Sequence, residues 1–264
     1  MNDKHINFGI KIAEEAGQKL KKSFKKSRPQ KRGTSKEVGS VFDDIVDKII
    51  KEGIEKEFPN HSYLTEESGL IDKGSRFLWI IDPLDGTGNY ENHNPFYSVS
   101  ISLWKDGKPV LGVVEAPSLK ERFIGLKGEG AWKINLETGS EEGLELSKIR
   151  TLKDSYFVFC EGSEKDKKRI TANFEEIYKK TKDFRKIGSA ALELAWIASG
   201  RAEGYITYRI PIWDIAAGLI ILGEAGGNFY DFSGKKRDLN SFNCNEKTNL
   251  LATNGKIPID FNLQ

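Results

Sequence analysis

The chain has few of the residues that soft metals and disulfide frameworks require. Its 264 residues include two cysteines, Cys160 and Cys244, and three histidines. The cysteines form no C-x-x-C pair, and no histidines have metal-ligand spacing, so the sequence offers neither a disulfide framework nor a zinc site. We expect one thiol in the core and the other in a loop.

Long apolar runs and an excess of one charge are also absent. No window approaches the roughly 18 consecutive apolar residues that a membrane helix requires, and the first residues, MNDKHINFGIKIAEE, lack the apolar stretch of a signal peptide. The 41 basic and 39 acidic residues give a net charge of +2, which does not indicate nucleic acid as a partner. We therefore expect a cytoplasmic protein with no membrane and no nucleic-acid partner.

One segment departs from this balance of charge. Residues 19–36 contain nine basic residues and no acidic one, and Pro29 and Gly33 indicate a loop. Such a run is most often a solvated face. The alternative is a loop that approaches an anionic substrate, in which case neutralising Lys31, Arg32 and Lys36 would change KM and its salt dependence.

Apolar spacing predicts helices and strands in different orders in the two halves. In the first half, amphipathic helices over residues 6–26 and 43–58 precede several strands, two of which join at Asp106 and Gly107. In the second half, strands alternate with helices predicted over residues 165–180, 189–200 and 214–227. This order predicts an α/β (α+β) layered sandwich, with residues 1–148 and 149–264 as its halves.

The stretch WIIDPLDGTGNY, residues 79–90, places two acids at the end of a probable buried strand. The carboxylates of Asp82 and Asp85 repel each other unless a positive charge lies between them. An all-oxygen site suits Mg²⁺, Mn²⁺ or Ca²⁺, and the carbonyl of Leu84 is a further oxygen ligand. The alternative for this pair is an Asx turn.

Further acids and glycines extend this pattern. Glu66 and Glu67 lie in LTEESG, and Asp214 lies in IWDIAAG at the start of an apolar helix. Taken singly, these residues are a solvated turn and an ordinary N-cap. Gly86 permits close approach of the backbone to a ligand, and the N–H groups that follow are suited to a phosphate. The combination indicates a phosphoryl group held by metal.

These three motifs, in this order, resemble the inositol monophosphatase family of lithium-sensitive, Mg²⁺-dependent phosphomonoesterases. WIIDPLDGTGNY agrees with the family signature at every defined position, and the resemblance covers nearly the whole chain. It implies an αβαβα sandwich of the inositol monophosphatase and fructose-1,6-bisphosphatase type, a homodimer, and two or three Mg²⁺ ions per site, with Mn²⁺ as a substitute.

The resemblance also implies roles for individual residues. Metal ligands are assigned to Glu66, Asp82, the Leu84 carbonyl, Asp85 and Asp214. Thr87, hydrogen-bonded to Asp43, is implied to activate the attacking water, and Glu67 is placed with these catalytic residues. The substrate-binding residues that the resemblance implies are Asp85, Gly86, Thr87, Gly188, Ser189, Ala190 and Asp214.

One departure from the family pattern concerns specificity. Thr207 stands where inositol-specific relatives carry a glutamate, and Arg209 follows soon after it. Arg185 and Arg209 are candidates to bind a second phosphate, as in prokaryotic relatives that also hydrolyse fructose 1,6-bisphosphate. A surface ion pair is the alternative for each arginine.

The predicted function is therefore hydrolysis of small sugar or polyol phosphates, inositol 1-phosphate and fructose 1,6-bisphosphate among them, by attack of water. A 3′(2′),5′-bisphosphate nucleotidase on the same fold is the first alternative. A haloacid dehalogenase phosphatase is the second, although its two acids are separated by one residue and one of them forms an aspartyl phosphate. A sugar-phosphate-binding protein without catalysis is the third.

Overall fold

The computed structural model describes residues 3–24, 36–163, 165–244 and 247–263, with the backbone alone for residues 36–40. Most of the basic run, including Lys31 and Arg32, lies outside the described residues, as does the side chain of Lys36. Within the described parts, no helix is both long enough and apolar enough to cross a membrane. Neither Cys160 nor Cys244 forms a disulfide, and both are half-buried, which places neither fully in the core.

Six α-helices form within the described residues, and five of them agree with the spacing of apolar residues. They are α1 Asp3–Ser23, α2 Lys36–Glu57, α3 Thr87–Glu91, α4 Lys167–Lys180, α5 Ala190–Ala198 and α6 Ile212–Glu224. Helix α2 begins at Lys36, earlier than the predicted residue 43. Helix α3 was not predicted, since five residues are too few to show a helical period.

The first half of the chain builds an eight-stranded sheet. Its strands are β1 Ser62–Thr65, β2 Gly69–Ile71, β3 Phe77–Asp85, β4 Ser98–Lys105, β5 Lys108–Ala116, β6 Glu121–Leu126, β7 Gly130–Asn135 and β8 Glu141–Gly143, in the order β2-β1-β3-β4-β5-β6-β7-β8. Strands β1 and β3 are parallel, and the other neighbours are antiparallel. The β4–β5 hairpin turns at Asp106 and Gly107, both with positive φ, as predicted.

The second half builds a six-stranded sheet. Its strands are β9 Tyr156–Cys160, β10 Asp183–Arg185, β11 Gly204–Ile210, β12 Asn228–Tyr230, β13 Lys236–Arg237 and β14 Thr248–Thr253, in the order β10-β9-β11-β14-β12-β13. Strands β9, β10 and β11 are parallel, and β14 and β12 run antiparallel to their neighbours.

Alternation of side chains along the strands divides the core into three apolar clusters. In β3, Trp79 and Ile81 pack with α1 and α2, whereas Ile80 packs with α5 and α6. Val158 in β9 packs with α5 and α6 from the other side, whereas Phe157 packs in the outer cluster with α4. Helices α5 and α6 therefore lie between the two sheets, which confirms the αβαβα layering. The division at residue 148 stays a prediction.

Candidate metal and phosphate site

The two acids of the DPLD motif lie within strand β3 itself. We expected a turn here, but β3 continues to Asp85, and its pairing with β4 shifts register between Asp82 and Asp85. Pro83 has no N–H to donate to β4, so the strand bulges at this point rather than ending. The carboxylate of Asp82 also accepts from the N–H of Leu84 at 3.0 Å, which is the Asx geometry that we gave as the alternative to a metal site.

Three acids from distant parts of the chain meet beside this bulge. One carboxylate oxygen each of Glu66, Asp82 and Asp214 can be chosen so that all three lie within 4.8 Å of one another. Glu66 directly follows β1, and its N–H donates to the carbonyl of Ile81 in β3 at 3.3 Å. Asp214 lies in the first turn of α6, whose N-cap is Pro211. The ordinary N-cap interpretation of Asp214 is therefore wrong.

Burial and mutual repulsion raise the pKa of the central carboxyls. Asp82 is 2% exposed, and its pKa is raised well above the ordinary value by burial, then by Glu66, Asp85 and Asp214. The pKa of Asp214 is raised well above its ordinary value by burial, then by Asp85 and Glu66. The fold therefore concentrates negative charge around the buried carboxylate of Asp82, with Asp214 half-buried and Glu66 exposed.

The surrounding acids share this effect. The pKa of Glu66 is raised to about 7 by desolvation of its carboxyl group, then by Glu67 and Asp85. The pKa of Asp43 is raised to about 8 by burial, then by Glu67 and Glu66. The pKa of Glu67 is also raised, by burial and then by Asp44 and Asp47. Asp43 and Glu67 therefore interact electrostatically with the three-acid cluster, which consists of Glu66, Asp82 and Asp214.

The donor set of this cluster fits a hard divalent cation. Its three carboxylates offer only oxygen, which is the donor that Mg²⁺, Mn²⁺ and Ca²⁺ prefer over thiolate or imidazole. The proximity of the three carboxylates is costly unless a cation or protons compensate their charge. Glu66, Asp82 and Asp214 are therefore the residues that would hold a metal.

Asp85 lies beside the cluster but is engaged with helix α5. Its Oδ1 accepts from the N–H of Ala190 at 2.9 Å, and its Oδ2 accepts from the N–H of Ala191 at 2.9 Å. Oδ2 also accepts from the hydroxyls of Ser189 and Ser98, at 2.5 Å and 3.1 Å. These bonds partly offset the rise in pKa that burial causes. Asp85 thus links the end of β3 to the predicted substrate turn.

The turn after β3 is fixed by a left-handed glycine. Gly86 has φ 89° and ψ 37°, and helix α3 starts at the next residue. Thr87 Oγ1 donates its single hydroxyl proton to the carbonyl of Leu84 at 3.0 Å. This proton therefore does not make the hydrogen bond to Asp43 that the resemblance implies. The reason is local, because a threonine that opens a helical turn readily bonds to the backbone three residues earlier.

The predicted substrate residues 188–190 are held from two sides. Glu193 Oε1 accepts from the N–H groups of Ile187 and Gly188 at 2.9 Å and 3.0 Å. Asn89 Nδ2 contacts the carbonyls of Phe96 and Ile187 at 2.6 Å and 2.8 Å, which joins α3 to the same turn. The structure therefore brings this turn next to the DPLD and GTGN residues, and its role in substrate binding stays a prediction.

The two predicted arginines are separated by the structure. Arg185 is exposed and donates to Asp183 at 3.0 Å and 2.8 Å, which is the surface ion pair that we weighed. Arg209 lies at a bulge of β11 and lines a cavity of about 690 Å³ that Arg185 does not line. Strand β9 lies between the strands that carry Arg185 and Arg209, and the assignment of a second phosphate to these arginines stays a prediction.

Comparison with known proteins agrees with this geometry. The model of the Inositol monophosphatase family matches residues 1–257. The chain belongs to the inositol monophosphatase family. A fructose-1,6-bisphosphatase/inositol-1-monophosphatase of Thermotoga maritima is 36% identical over 254 residues, 96% of this chain and 92% of the relative. This family member is accordingly a phosphoric monoester hydrolase.

Two further comparisons bear on fold and name. The structure of an IMPase of Thermotoga maritima superposes with a TM-score of 0.80 at 33% identity, covering 95% of this chain and 92% of the other. A protein named Nus factor SuhB, of Pasteurella multocida, is 36% identical over 237 residues, 87% of this chain and 85% of its own. The haloacid dehalogenase alternative is therefore wrong at the level of the fold.

Sequence reasoning missed several residues that shape the site of this inositol monophosphatase family member. Glu193 was taken as part of an apolar helix, yet it is fully buried and burial raises its pKa well above the ordinary value. Ser98 was taken as a strand residue without a role. The available signals were an isolated acid within AALELAWIA and the alternating serines of SVSIS in β4.

Thr65 gains a role from the structure. Its Oγ1 accepts from the N–H of Ser68 at 2.9 Å, and Ser68 Oγ donates to Asp47 at 2.8 Å. The Asp47 carboxylate also pairs with Lys51 at 2.6 Å. These contacts attach the turn that carries Glu66 and Glu67 to helix α2.

Proposed function

We propose that this protein is a Mg²⁺-dependent phosphomonoesterase that hydrolyses small sugar or polyol phosphates by direct attack of water. The observation that carries the proposal is the convergence of Glu66, Asp82 and Asp214 to within 4.8 Å, beside the GTGN turn. Two or three Mg²⁺ ions, with Mn²⁺ as a substitute, are part of the proposal, as are a homodimer in the cytoplasm and the absence of a nucleic-acid partner.

Divalent cations bound to these carboxylates and to the Leu84 carbonyl would neutralise phosphate charge and lower the pKa of an attacking water. In this assignment, Asp85 is a further ligand whose second function is to hold the turn at Ser189 and Ala190. The backbone N–H groups of Gly86 and Thr87 bind phosphate oxygens.

Three residues are assigned to the water and its proton. Thr87 Oγ1 orients the water, after its hydroxyl turns away from the carbonyl of Leu84. Asp43 and Glu67 interact electrostatically with Glu66, and the pKa of Asp43, raised to about 8, suits a carboxyl group that accepts a proton near neutral pH. In this assignment no side chain attacks phosphorus.

The alcohol part of the substrate is assigned to the turn of Gly188, Ser189 and Ala190. Gly188 has φ 86°, and its N–H and that of Ile187 are both taken up by Glu193. Inositol 1-phosphate and fructose 1,6-bisphosphate are the substrates proposed, which accords with the name of the Thermotoga maritima relative.

The test is phosphate release with Mg²⁺ and with EDTA from inositol 1-phosphate, fructose 1,6-bisphosphate and adenosine 3′,5′-bisphosphate. We expect release from the first two, only with metal. Release from the nucleotide alone would contradict the assigned substrates and leave the metal site intact. Release that persists in EDTA would contradict the metal assignment.

A second candidate function comes from the names of several relatives. Proteins named Nus factor SuhB, from Pasteurella multocida and Escherichia coli, are 36% and 31% identical to this chain. A Nus-factor role in place of catalysis predicts that none of the three phosphates is cleaved at any Mg²⁺ concentration. The same assay therefore separates the two candidates.

A further inference from the structure

The turn that carries Glu66 lies beside an exposed edge of the larger sheet. Residues 66–68 connect β1 to β2, and β2 is the edge strand. The side chains of Leu70 and Ile71 in β2 are 47% and 40% exposed, so apolar packing does little to hold this edge. The N–H of Glu66 makes one bond to β3, at 3.3 Å from the carbonyl of Ile81. The position of the Glu66 carboxylate therefore depends on polar contacts of the turn.

The first of these contacts closes the turn. Thr65 is fully buried and pairs with Ile81 on one side and with Gly69 on the other. Its Oγ1 accepts from the N–H of Ser68 at 2.9 Å. A threonine hydroxyl that bonds to the backbone three residues later fixes the conformation of the residues between them. Here these residues are Glu66 and Glu67.

The second set of contacts joins the closed turn to helix α2. Ser68 Oγ donates to Asp47 Oδ2 at 2.8 Å, and the Lys51 ammonium donates to Ser68 Oγ at 2.5 Å. Lys51 also lies 2.6 Å from Asp47 Oδ2. Each of the three side chains thus contacts the other two. Because two of them are charged, these bonds are stronger than bonds between neutral groups.

Burial distinguishes this ion pair from a surface pair on the same helix. The side chain of Asp47 is 3% exposed and that of Lys51 is 26% exposed. Lys48 and Glu52 have the same spacing of four residues, but they are 72% and 66% exposed and 3.7 Å apart. An exposed pair of this kind contributes little. A buried carboxylate, in contrast, requires its cation and its hydroxyl donor.

The same helix face carries a second acid of the site. Asp43 precedes Asp47 by four residues in α2, and this spacing places both side chains on one face of the helix. Asp43 is also buried. The contacts of Ser68 therefore fix the turn of Glu66 to the helix that carries Asp43.

We propose that four side chains are positioning residues for the metal ligand Glu66. They are Thr65, Ser68, Asp47 and Lys51, which we call the β1–α2 tether. The tether holds the Glu66 carboxylate in place before a cation binds, so less conformational freedom is lost on binding. The proposal rests on the proposed function, because it takes Glu66 as a ligand of Mg²⁺.

The test uses neutral substitutions that leave every charge of the site unchanged. Thr65→Val and Ser68→Ala each remove one hydroxyl of the tether, and Thr65→Ser retains the hydroxyl. Thr138→Val is the matched control, because Thr138 Oγ1 accepts from the N–H of Ser140 at 3.2 Å in an exposed turn. That turn follows β7, and strands β3 to β6 lie between β7 and β1.

Two quantities are measured for each protein. Calorimetric titration of Mg²⁺ into the metal-free chain gives the dissociation constant, and urea denaturation in EDTA gives the free energy of unfolding. We expect the dissociation constant to rise roughly ten-fold or more in Thr65→Val and Ser68→Ala, as is usual when the group that orients a metal ligand is removed. Thr65→Ser and Thr138→Val should bind Mg²⁺ as the wild type does.

The outcomes separate positioning from a role in stability alone. A lower free energy of unfolding with an unchanged dissociation constant would overturn the proposal. If Thr65→Val does not fold, Ser68→Ala still decides, because the Ser68 side chain is exposed. A wild type that binds no Mg²⁺ would overturn the metal assignment and this proposal together. Equal binding by the wild type and both tether variants would overturn this proposal alone.

Discussion

Asp82 is a carboxylate that the fold buries almost completely among other acids. Burial and three neighbouring carboxyls act in the same direction on its pKa. Such a group lowers the stability of the protein by itself. We attribute its position to a cation that its carboxylate would bind. On this account Asp82 is retained for function and not for packing.

Replacing Asp82 with Asn tests this separation of function from stability. We expect phosphate release to fall on the order of 1,000-fold, equivalent to about 4 kcal/mol of transition-state stabilisation. The free energy of unfolding in EDTA should stay the same or rise, because one repelling charge is removed and the amide oxygen still accepts from Leu84. Steady-state kinetics and urea denaturation measure the two effects.

Asp260→Asn is the matched control, since its carboxylate is 81% exposed. It should leave both turnover and stability near the wild-type values. Full turnover in Asp82→Asn would mean that the acids have been assigned wrongly.

Glu193 is expected to act on stability through two buried backbone donors. Glu193→Ala leaves the N–H groups of Ile187 and Gly188 without their acceptor, at a cost of about 2–4 kcal/mol. Glu193→Gln retains a carbonyl oxygen at the same place, which can still accept from both N–H groups, and removes the buried charge. Urea denaturation should therefore show a large loss for Ala and a small one for Gln. Equal losses would show that packing, not the acceptor, is what matters.

At the scale of elements, the junction of β3 and α3 offers the sharpest comparison. Gly86 lies in the turn itself, and Gly88 lies in the first turn of α3. Gly86 has φ 89°, and a Cβ there would lie 2.9 Å from the Phe96 carbonyl and 3.1 Å from that of Gly188. Gly88 has no atom within 4 Å of its Cβ position. The first glycine is required by the close approach of three segments, and the second is not.

We therefore predict that Gly86→Ala lowers the free energy of unfolding by about 1–3 kcal/mol and impairs turnover, because Asp85 and Thr87 are displaced. Gly88→Ala is the control in the same helix and should be neutral or slightly stabilising. Thermal unfolding and phosphate release of both variants measure this difference. Equal behaviour of the two variants would contradict the structural account of the turn.

Elements with a clear period were predictable from the sequence, and local exceptions were not. The stripe of α1 and the Asp-Gly turn of the β4–β5 hairpin each follow from residues close together in the chain. The continuation of β3 through Pro83 depends on β4, a partner 13 or more residues away, which local spacing does not report. The start of α2 was placed too late because only its apolar residues were periodic.

The candidate site was predictable in its acids and less so in its supports. Glu66, Asp82 and Asp214 were recognised because three short motifs occur together in order. Glu193 was missed, because the sequence of its apolar helix does not show that its carboxylate accepts from the N–H groups of Ile187 and Gly188. The separation of Arg185 and Arg209 by strand β9 depends on sheet order, which their spacing in the sequence does not contain.

At the scale of the whole molecule, the layered fold brings together acids that the chain keeps far apart. Glu66 follows β1, the second strand from the edge of the larger sheet, and Asp82 lies in the neighbouring strand β3. Asp214 lies in the first turn of α6, a helix of the central layer. Apolar packing on both sides of this layer supplies the stability that offsets the repulsion. The acids of the site therefore lower the free energy of unfolding, and we attribute their presence to binding.

This arrangement predicts an unusual dependence of stability on pH in EDTA. The pKa of Asp43 rises from 3.8 to about 8 and that of Glu66 from 4.5 to about 7, so the folded state binds more protons than the unfolded state between these values. The free energy of unfolding should then be highest near pH 4 to 5 and fall as the pH rises to about 8. Urea denaturation across this range measures it.

Asp43→Asn is the control for the pH dependence, because it removes the larger of the two shifts. Its free energy of unfolding should fall less steeply between pH 5 and 8 than that of the wild type. A wild-type stability that rises with pH over this range would contradict the sign of both shifts.

The most direct test of the central claim is calorimetric titration of Mg²⁺ into the metal-free chain near neutral pH, with Asp214→Asn alongside. The account predicts saturable binding to the wild type, with release of protons from the acidic cluster, and loss of that binding in the variant. A wild type that binds no Mg²⁺, or a variant that binds it equally well, would contradict the account.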